Sequence, residues 1–310
     1  MLLAYTAHRA HSRLSERDHA ERRSPERGMR LLKNEVRHDT MIVRRMKTSV
    51  RSVIAGAQGS AGGFNEPETA GIKGAAMDIE LWNKTDSGVL LEPPLLLNAC
   101  REGKFGERIE LEGGTVDRAL FTYLSGTPDE SFFNAKPELF YGQFLVCMSL
   151  EWERFLRAQP SLSLAMARKM MRPMCAASTK TLRPLPAGYA LELFDADDFA
   201  RHPFGHGGNY PDFDAFAKTG SGAVVRYQSG IAASASSFLS FEKEVELDVS
   251  TDDRHRRRGL ADHCVAVMMA DCALRGLTIH WDAQNAASAC MAQSHGFAVQ
   301  QEYAVYMLRR

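Results

Sequence analysis

Long apolar runs are missing from this chain of 310 residues. Stretches such as residues 144–148 fall far short of the ~18 consecutive apolar residues that cross a bilayer, so no membrane-spanning helix is expected. The start, residues 1–9, lacks a basic segment followed by an apolar block, which argues against secretion. Net charge is also missing. The 38 Lys and Arg balance 38 Asp and Glu, leaving no general attraction for nucleic acid or anionic lipid. Cysteine is sparse and unclustered: Cys100, Cys147, Cys175, Cys264, Cys272 and Cys290 form no C-x-x-C pair. That spacing excludes a disulfide framework and the common zinc motifs, and no metal site is expected. Cys264 and Cys272 lie in an apolar helical stretch and read as small core residues. The expected compartment is the reducing cytoplasm.

What is present falls into three parts. Residues 1–55 hold 13 Arg or Lys against six Asp or Glu, and Gly59-Ser60-Ala61-Gly62-Gly63 follows as flexible linker chemistry. Residues 1–76 are expected to be a disordered basic arm and linker, too poor in apolar side chains to offset the entropy of ordering. A nucleic-acid-binding or targeting arm is the alternative, but no aromatic residues interleave with the basic ones, so nucleic acid is not the expected partner.

Residues 77–180 read as an N-terminal α/β packing or lid domain without a catalytic constellation. Residues 79–82 alternate, 108–112 form a strand ending at Gly113-Gly114, and 116–124 suggest a short helix. Residues 140–156 supply core aromatics and aliphatics, and 162–171 read as a second helix stopped before Pro173. Pro184, Pro186 and Gly188 mark a connector over 181–188, where the domain boundary is placed.

Residues 181–310 carry the argument. Strands are expected over 189–194, 223–227, 230–235 and 245–249, with a short helix over 211–218 ending at Gly220. A basic turn, Asp252-Asp253-Arg254-His255-Arg256-Arg257-Arg258-Gly259, then opens a helix. Leu260, Cys264, Val267, Met268 and Cys272 share one face of that helix, which closes at Arg275-Gly276. A strand over 277–281, a helix over 286–294 and a closing strand over 303–308 complete an α+β domain on one mixed sheet. The strand-turn-helix junction at 249–261 is the most chemically suggestive point. A helix start offers unpaired N–H groups and partial positive charge to a phosphate, and Gly259 and Ala261 keep the approach clear. The plainer reading is an ordinary turn with a solvated Arg cluster.

Arg256-x-x-Gly259-x-Ala261 resembles the Q/R-x-x-G-x-G/A signature of the GNAT superfamily of acetyl-CoA-dependent acetyltransferases. Asp248-Val249-Ser250-Thr251, the run from Trp281 through Asn285 to Ser288, Gly296-Phe297 and Glu302-Tyr303 are similar to the subgroup containing the zwittermicin A resistance enzymes. The likeness covers roughly two thirds of the chain, more loosely over residues 98–180. It implies a GNAT-like mixed, mostly antiparallel sheet flanked by helices, after a smaller N-terminal α/β region. It also implies transfer of an acetyl group from acetyl-CoA to a primary amine of a small molecule, which includes amino-containing antibiotics or metabolites. A non-catalytic acyl-CoA-binding or regulatory module is the alternative.

On that resemblance Val249, Arg256, Arg257, Arg258, Gly259, Leu260 and Ala261 would hold the cofactor's pyrophosphate and thioester carbonyl, with Asn285 and Ser288 on the pantetheine arm. Asn285 equally suits a helix N-cap. Direct attack needs a base and an acid. Glu246 and Asp248 alternate with Val245, Leu247 and Val249 and are the candidate carboxylates, unless they are only a polar strand face. The family's frequent acid tyrosine, four residues before Gly296, is replaced by Ala292; Tyr303, the catalytic candidate, or Tyr306 would substitute unless both are core aromatics of the last strand, so the acid itself stays open.

Overall fold

The computed structural model describes residues 88–310 apart from 176, 177, 179 and 202–208. The expected arm at 1–76 and the alternating run at 79–82 lie outside the described residues. In chain order the elements are α1 (Leu95–Arg101), β1 (Glu107–Glu110), β2 (Gly114–Arg118), β3 (Thr122–Gly126), α2 (Glu130–Ala135) and β4 (Leu145–Cys147). Next come α3 (Leu150–Arg157), β5 (Leu162–Pro173), β6 (Tyr189–Leu193), α4 (Ala196–Arg201), α5 (Phe213–Thr219) and β7 (Gly222–Tyr227). The chain ends with β8 (Gly230–Phe241), β9 (Glu244–Thr251), α6 (Leu260–Arg275), β10 (Thr278–Ala283), α7 (Ala286–Ser294) and β11 (Phe297–Leu308).

The eleven strands of the described residues join one sheet in the order β1-β2-β3-β4-β11-β5-β10-β9-β8-β7-β6. Among these strands β9–β10 and β3–β4 run parallel and the other pairs antiparallel, so the sheet is mixed and mostly antiparallel. The parallel β9–β10 pair requires a crossover, and α6 supplies it. Gly276 closes α6 in the left-handed conformation (φ 66°), with the Leu277 N–H returning to the Cys272 carbonyl at 2.8 Å. The helix is covered on more than the expected face. Ala261, Val265, Ala266 and Met269 are buried along with Leu260, Cys264, Val267, Met268 and Cys272.

Two expected helices are strands. Residues 116–124 form the β2–β3 hairpin, where Val116 pairs with Leu124 and Arg118 with Thr122. Residues 162–171 belong to β5, which pairs with β11 from Leu162↔Leu308 to Pro173↔Phe297 and with β10 at Lys169, Met170 and Met171. Leu, Ala, Met, Lys and Arg favour helix intrinsically. Main-chain partners on both edges of this slot, supplied by distant parts of the chain, override that preference.

The same strand changes the domain picture. β5 precedes the boundary placed at 181–188, yet it lies between β10 and β11, which follow it. The sheet is therefore continuous across the expected boundary. Met171 is fully buried at the centre, opposite Trp281 on one side and Val299 on the other. Met171→Ala should cost about 2–5 kcal/mol. In urea, far-UV circular dichroism and tryptophan fluorescence should shift together in one transition. Two transitions of which only one moves would show that the halves fold separately.

Candidate active site

β9 and β10 pair over only three positions, Glu244↔Thr278, Val245↔Ile279 and Glu246↔His280. Beyond them each strand stays with its outer neighbour: β9 with β8 as far as Thr251↔Ala233, and β10 with β5 at Trp281, Asp282 and Ala283. The strands separate, and a cleft of about 1090 Å3 opens between them. The Asp252 N–H donates to the Ala232 carbonyl on the β8 side at 2.9 Å. Alternation along β9 therefore turns the Val249 N–H to the other edge, toward the gap.

The sheet divides the cleft into two environments. Val245, Leu247, Ile279 and Trp281 pack with α6 in one core. Glu246, Asp248 and Asp282 consequently face the opposite side, toward α1. On the α6 side the turn places two residues in the left-handed region, Arg257 (φ 62°) and Gly259 (φ 73°). Such a turn directs successive N–H groups into one concavity. α6 then begins without a side-chain cap, so its first N–H groups point outward unpaired. A Cβ on Gly259 would meet only Asp262 Oδ2, 3.9 Å away, among the described residues. The approach is open, and glycine answers to the backbone angle.

Glu246, Asp248, Val249, Arg256, Arg257, Gly259, Leu260, Ala261, Asn285 and Ser288 all line the cleft. Arg258 and Tyr303 are not among its lining residues. The Arg258 guanidinium turns to the ring of Tyr189, 6.0 Å away, at the outer side of the turn. Arg256 pairs with Asp253 at 2.7 Å on the surface. Asn285 is a helix N-cap, its Oδ1 accepting the Ser288 N–H at 2.9 Å, and it also borders the cleft. Ser288 Oγ accepts from Trp281 Nε1 at 3.0 Å, which fixes the indole at the cleft wall.

Tyr303 is 1% exposed, and its hydroxyl donates to Asp282 Oδ2 at 2.5 Å. Burial and the Asp282 charge raise its pKa well above the usual phenol range. Tyr303, the candidate catalytic tyrosine, is therefore placed outside the cleft lining and bonded to Asp282. Asp282 and Arg168 were not anticipated. Arg168 Nε donates to Asp282 Oδ2 at 2.9 Å and Nη2 to the Asp282 carbonyl at 2.8 Å. Burial holds the Asp282 carboxyl above its ordinary pKa despite Arg168 and Tyr303. Asp282 Oδ1 is buried without a partner among the described residues. Burial, with the Asp282 charge second, pushes the Glu246 pKa up to about 8. The alternation that exposed Glu246 also marks Asp282, between Trp281 and Ala283; Arg168 was hidden in the run read as helix.

A mixed sheet splayed at a parallel pair, with the crossover helix starting at the gap, defines the class of fold. A GCN5-related N-acetyltransferase-like protein from Streptococcus suis 89/1591 shares it, at a TM-score of 0.57 and 22% identity over 70% of this chain and 94% of that one. The family described as GNAT acetyltransferase matches residues 110–306, and the chain belongs to that family. A Bacillus subtilis (strain 168) protein named "Uncharacterized N-acetyltransferase YdfB" is 29% identical over 134 residues, 41% of this chain and 51% of its own length. The chain thus spans about half the length of that curated relative.

Arg168→Leu should leave Asp282 uncompensated and cost about 3–5 kcal/mol of stability. Adding Asp282→Asn should recover a measurable part of that loss in denaturant titrations. Strictly additive losses would contradict the coupling.

Proposed function

We propose that this protein is an acetyl-CoA-dependent N-acetyltransferase that acylates a primary amine of a small molecule by direct attack. The splayed β9–β10 gap carries the reading, because it joins an uncapped helix N-terminus on one face to a buried carboxylate with raised pKa on the other. The unobstructed Gly259, the left-handed Arg257 and the open first turn of α6 fit a pyrophosphate. The amides of residues 257–261 would hold it, with Arg256 and Arg257 adding charge. Asn285 and Ser288 would border the pantetheine arm. Acetyl-CoA, when bound, supplies the activated acetyl group. The Val249 N–H is aimed to polarise a carbonyl oxygen placed in the gap.

Glu246 is the proposed base. Its pKa of about 8 suits accepting a proton from an ammonium near neutrality. Asp248, two residues on along the same face, would draw the cation toward it. No side chain is assigned to protonating the leaving thiol. Ala292 stands at the family's tyrosine position, and Tyr303 is committed to Asp282. That gap is the observation favouring a non-catalytic acyl-CoA-binding module, and the Glu246 environment favours an enzyme. An amino-containing antibiotic or metabolite lies within the proposed acceptor class, in keeping with the resemblance to the zwittermicin A resistance subgroup. The unclustered cysteines support a cytoplasmic setting. Among the described residues no helix is long and apolar enough to cross a membrane.

Gly259→Glu should weaken CoA binding by about tenfold or more, as read by calorimetry, because a carboxylate would enter the phosphate position. Unchanged affinity in the folded variant would refute that position. For catalysis, only deprotonated Glu246 can accept the proton, so kcat/KM should fall as pH drops through about 8. Glu246→Gln should lower kcat by about 10²–10⁴-fold, remove that limb and spare acetyl-CoA affinity. Full activity in Glu246→Gln/Asp248→Asn would eliminate both carboxylates as the base.

A further inference from the structure

We infer that the acceptor is a primary amine with a single cationic head and an apolar body, aromatic or branched aliphatic, rather than a polyamine or a free amino acid. The inference rests on the acetyl-transfer reading and concerns the cleft face turned away from α6. The walls there are apolar and come from elements outside the cofactor turn: Leu96 of α1, Leu120 and Phe121 between β2 and β3, and Phe238 of β8. Phe238 sits at the register shift between Ser237 and Leu239, where β8 passes Leu247 and Glu246. A bulge of this kind re-aims a side chain beside a site. Phe105 braces its ring edge-on at 6.5 Å. Leu120 remains 49% exposed, a large apolar side chain at the lip of a cleft.

The floor has the opposite character. Glu246, Asp248 and Asp282 line it together with Arg168, and Arg172 beside His280 also acts on Glu246. Arg168 already gives Nε and Nη2 to Asp282, and its guanidinium carbon lies 5.0 Å from the centre of the Phe121 ring. One ammonium is therefore well matched by the floor. A carboxylate beside that ammonium would meet like charge, and Arg168 is already engaged by Asp282. The further cations of a polyamine would lie against Leu96, Leu120, Phe121 and Phe238, losing hydration without a partner. An apolar body gains on the same walls.

The test uses the full-length protein with saturating acetyl-CoA, thiol release as readout, and 2-phenylethylamine, spermidine and phenylalanine as acceptors. We expect kcat/KM for 2-phenylethylamine to exceed that for each of the others by about tenfold or more. Leu120→Asp should cut the 2-phenylethylamine value by about tenfold and leave calorimetric acetyl-CoA affinity within about twofold. A preference for spermidine or phenylalanine would overturn the inference. So would an unaltered Leu120→Asp enzyme, or acetyl-CoA binding with none of the three amines acetylated. Failure to bind acetyl-CoA at all would instead bring down the acetyl-transfer reading, and this inference with it.

Discussion

The short parallel pairing of β9 with β10 is the constraint from which the site follows. Parallel neighbours need a crossover, and α6 must start where β9 ends in order to return the chain to the start of β10. The helix N-terminus and the far end of β9 are therefore brought together by topology. Because β8 and β5 hold the outer edges of the two strands, β9 and β10 can part after His280↔Glu246 without unravelling. Their inner backbone groups are left facing a cleft, where water or a ligand must satisfy them. One geometric event thus creates both an opening through the sheet and a polar lining for it.

Period-two alternation then assigns the chemistry to sides. Apolar residues of β9 and β10 face α6 and close the core, while Glu246, Asp248 and Asp282 face α1. Burying carboxylates together is costly, and the structure responds with Arg168 and Tyr303 on Asp282. A buried ion pair of this sort is weak evidence for net stability. Its evident consequence is positional: Asp282 is fixed, and its charge joins burial in raising Glu246.

The strand-turn-helix at residues 249–261 was legible in the sequence because every cue there is local: alternation, a glycine before the helix, and a cap glycine at its end. Asn285 as an N-cap was equally legible. β5 was not. Its residues favour helix, and its main partner strand lies more than a hundred residues away, as in Leu162↔Leu308. Losing β5 also hid Arg168 and the continuity of the sheet across residue 181. Arg258 and Tyr303 illustrate a different limit. Sequence places a residue on an element but does not aim its side chain, and these two point to Tyr189 and to Asp282.

The most direct test of the account is a crystal structure of the protein with acetyl-CoA. The pyrophosphate should lie within hydrogen-bond distance of the amides of residues 257–261, with the pantetheine passing between β9 and β10 and the acetyl group near Val249 and Glu246. A pyrophosphate bound away from the α6 N-terminus, or a pantetheine that does not enter the gap, would contradict it.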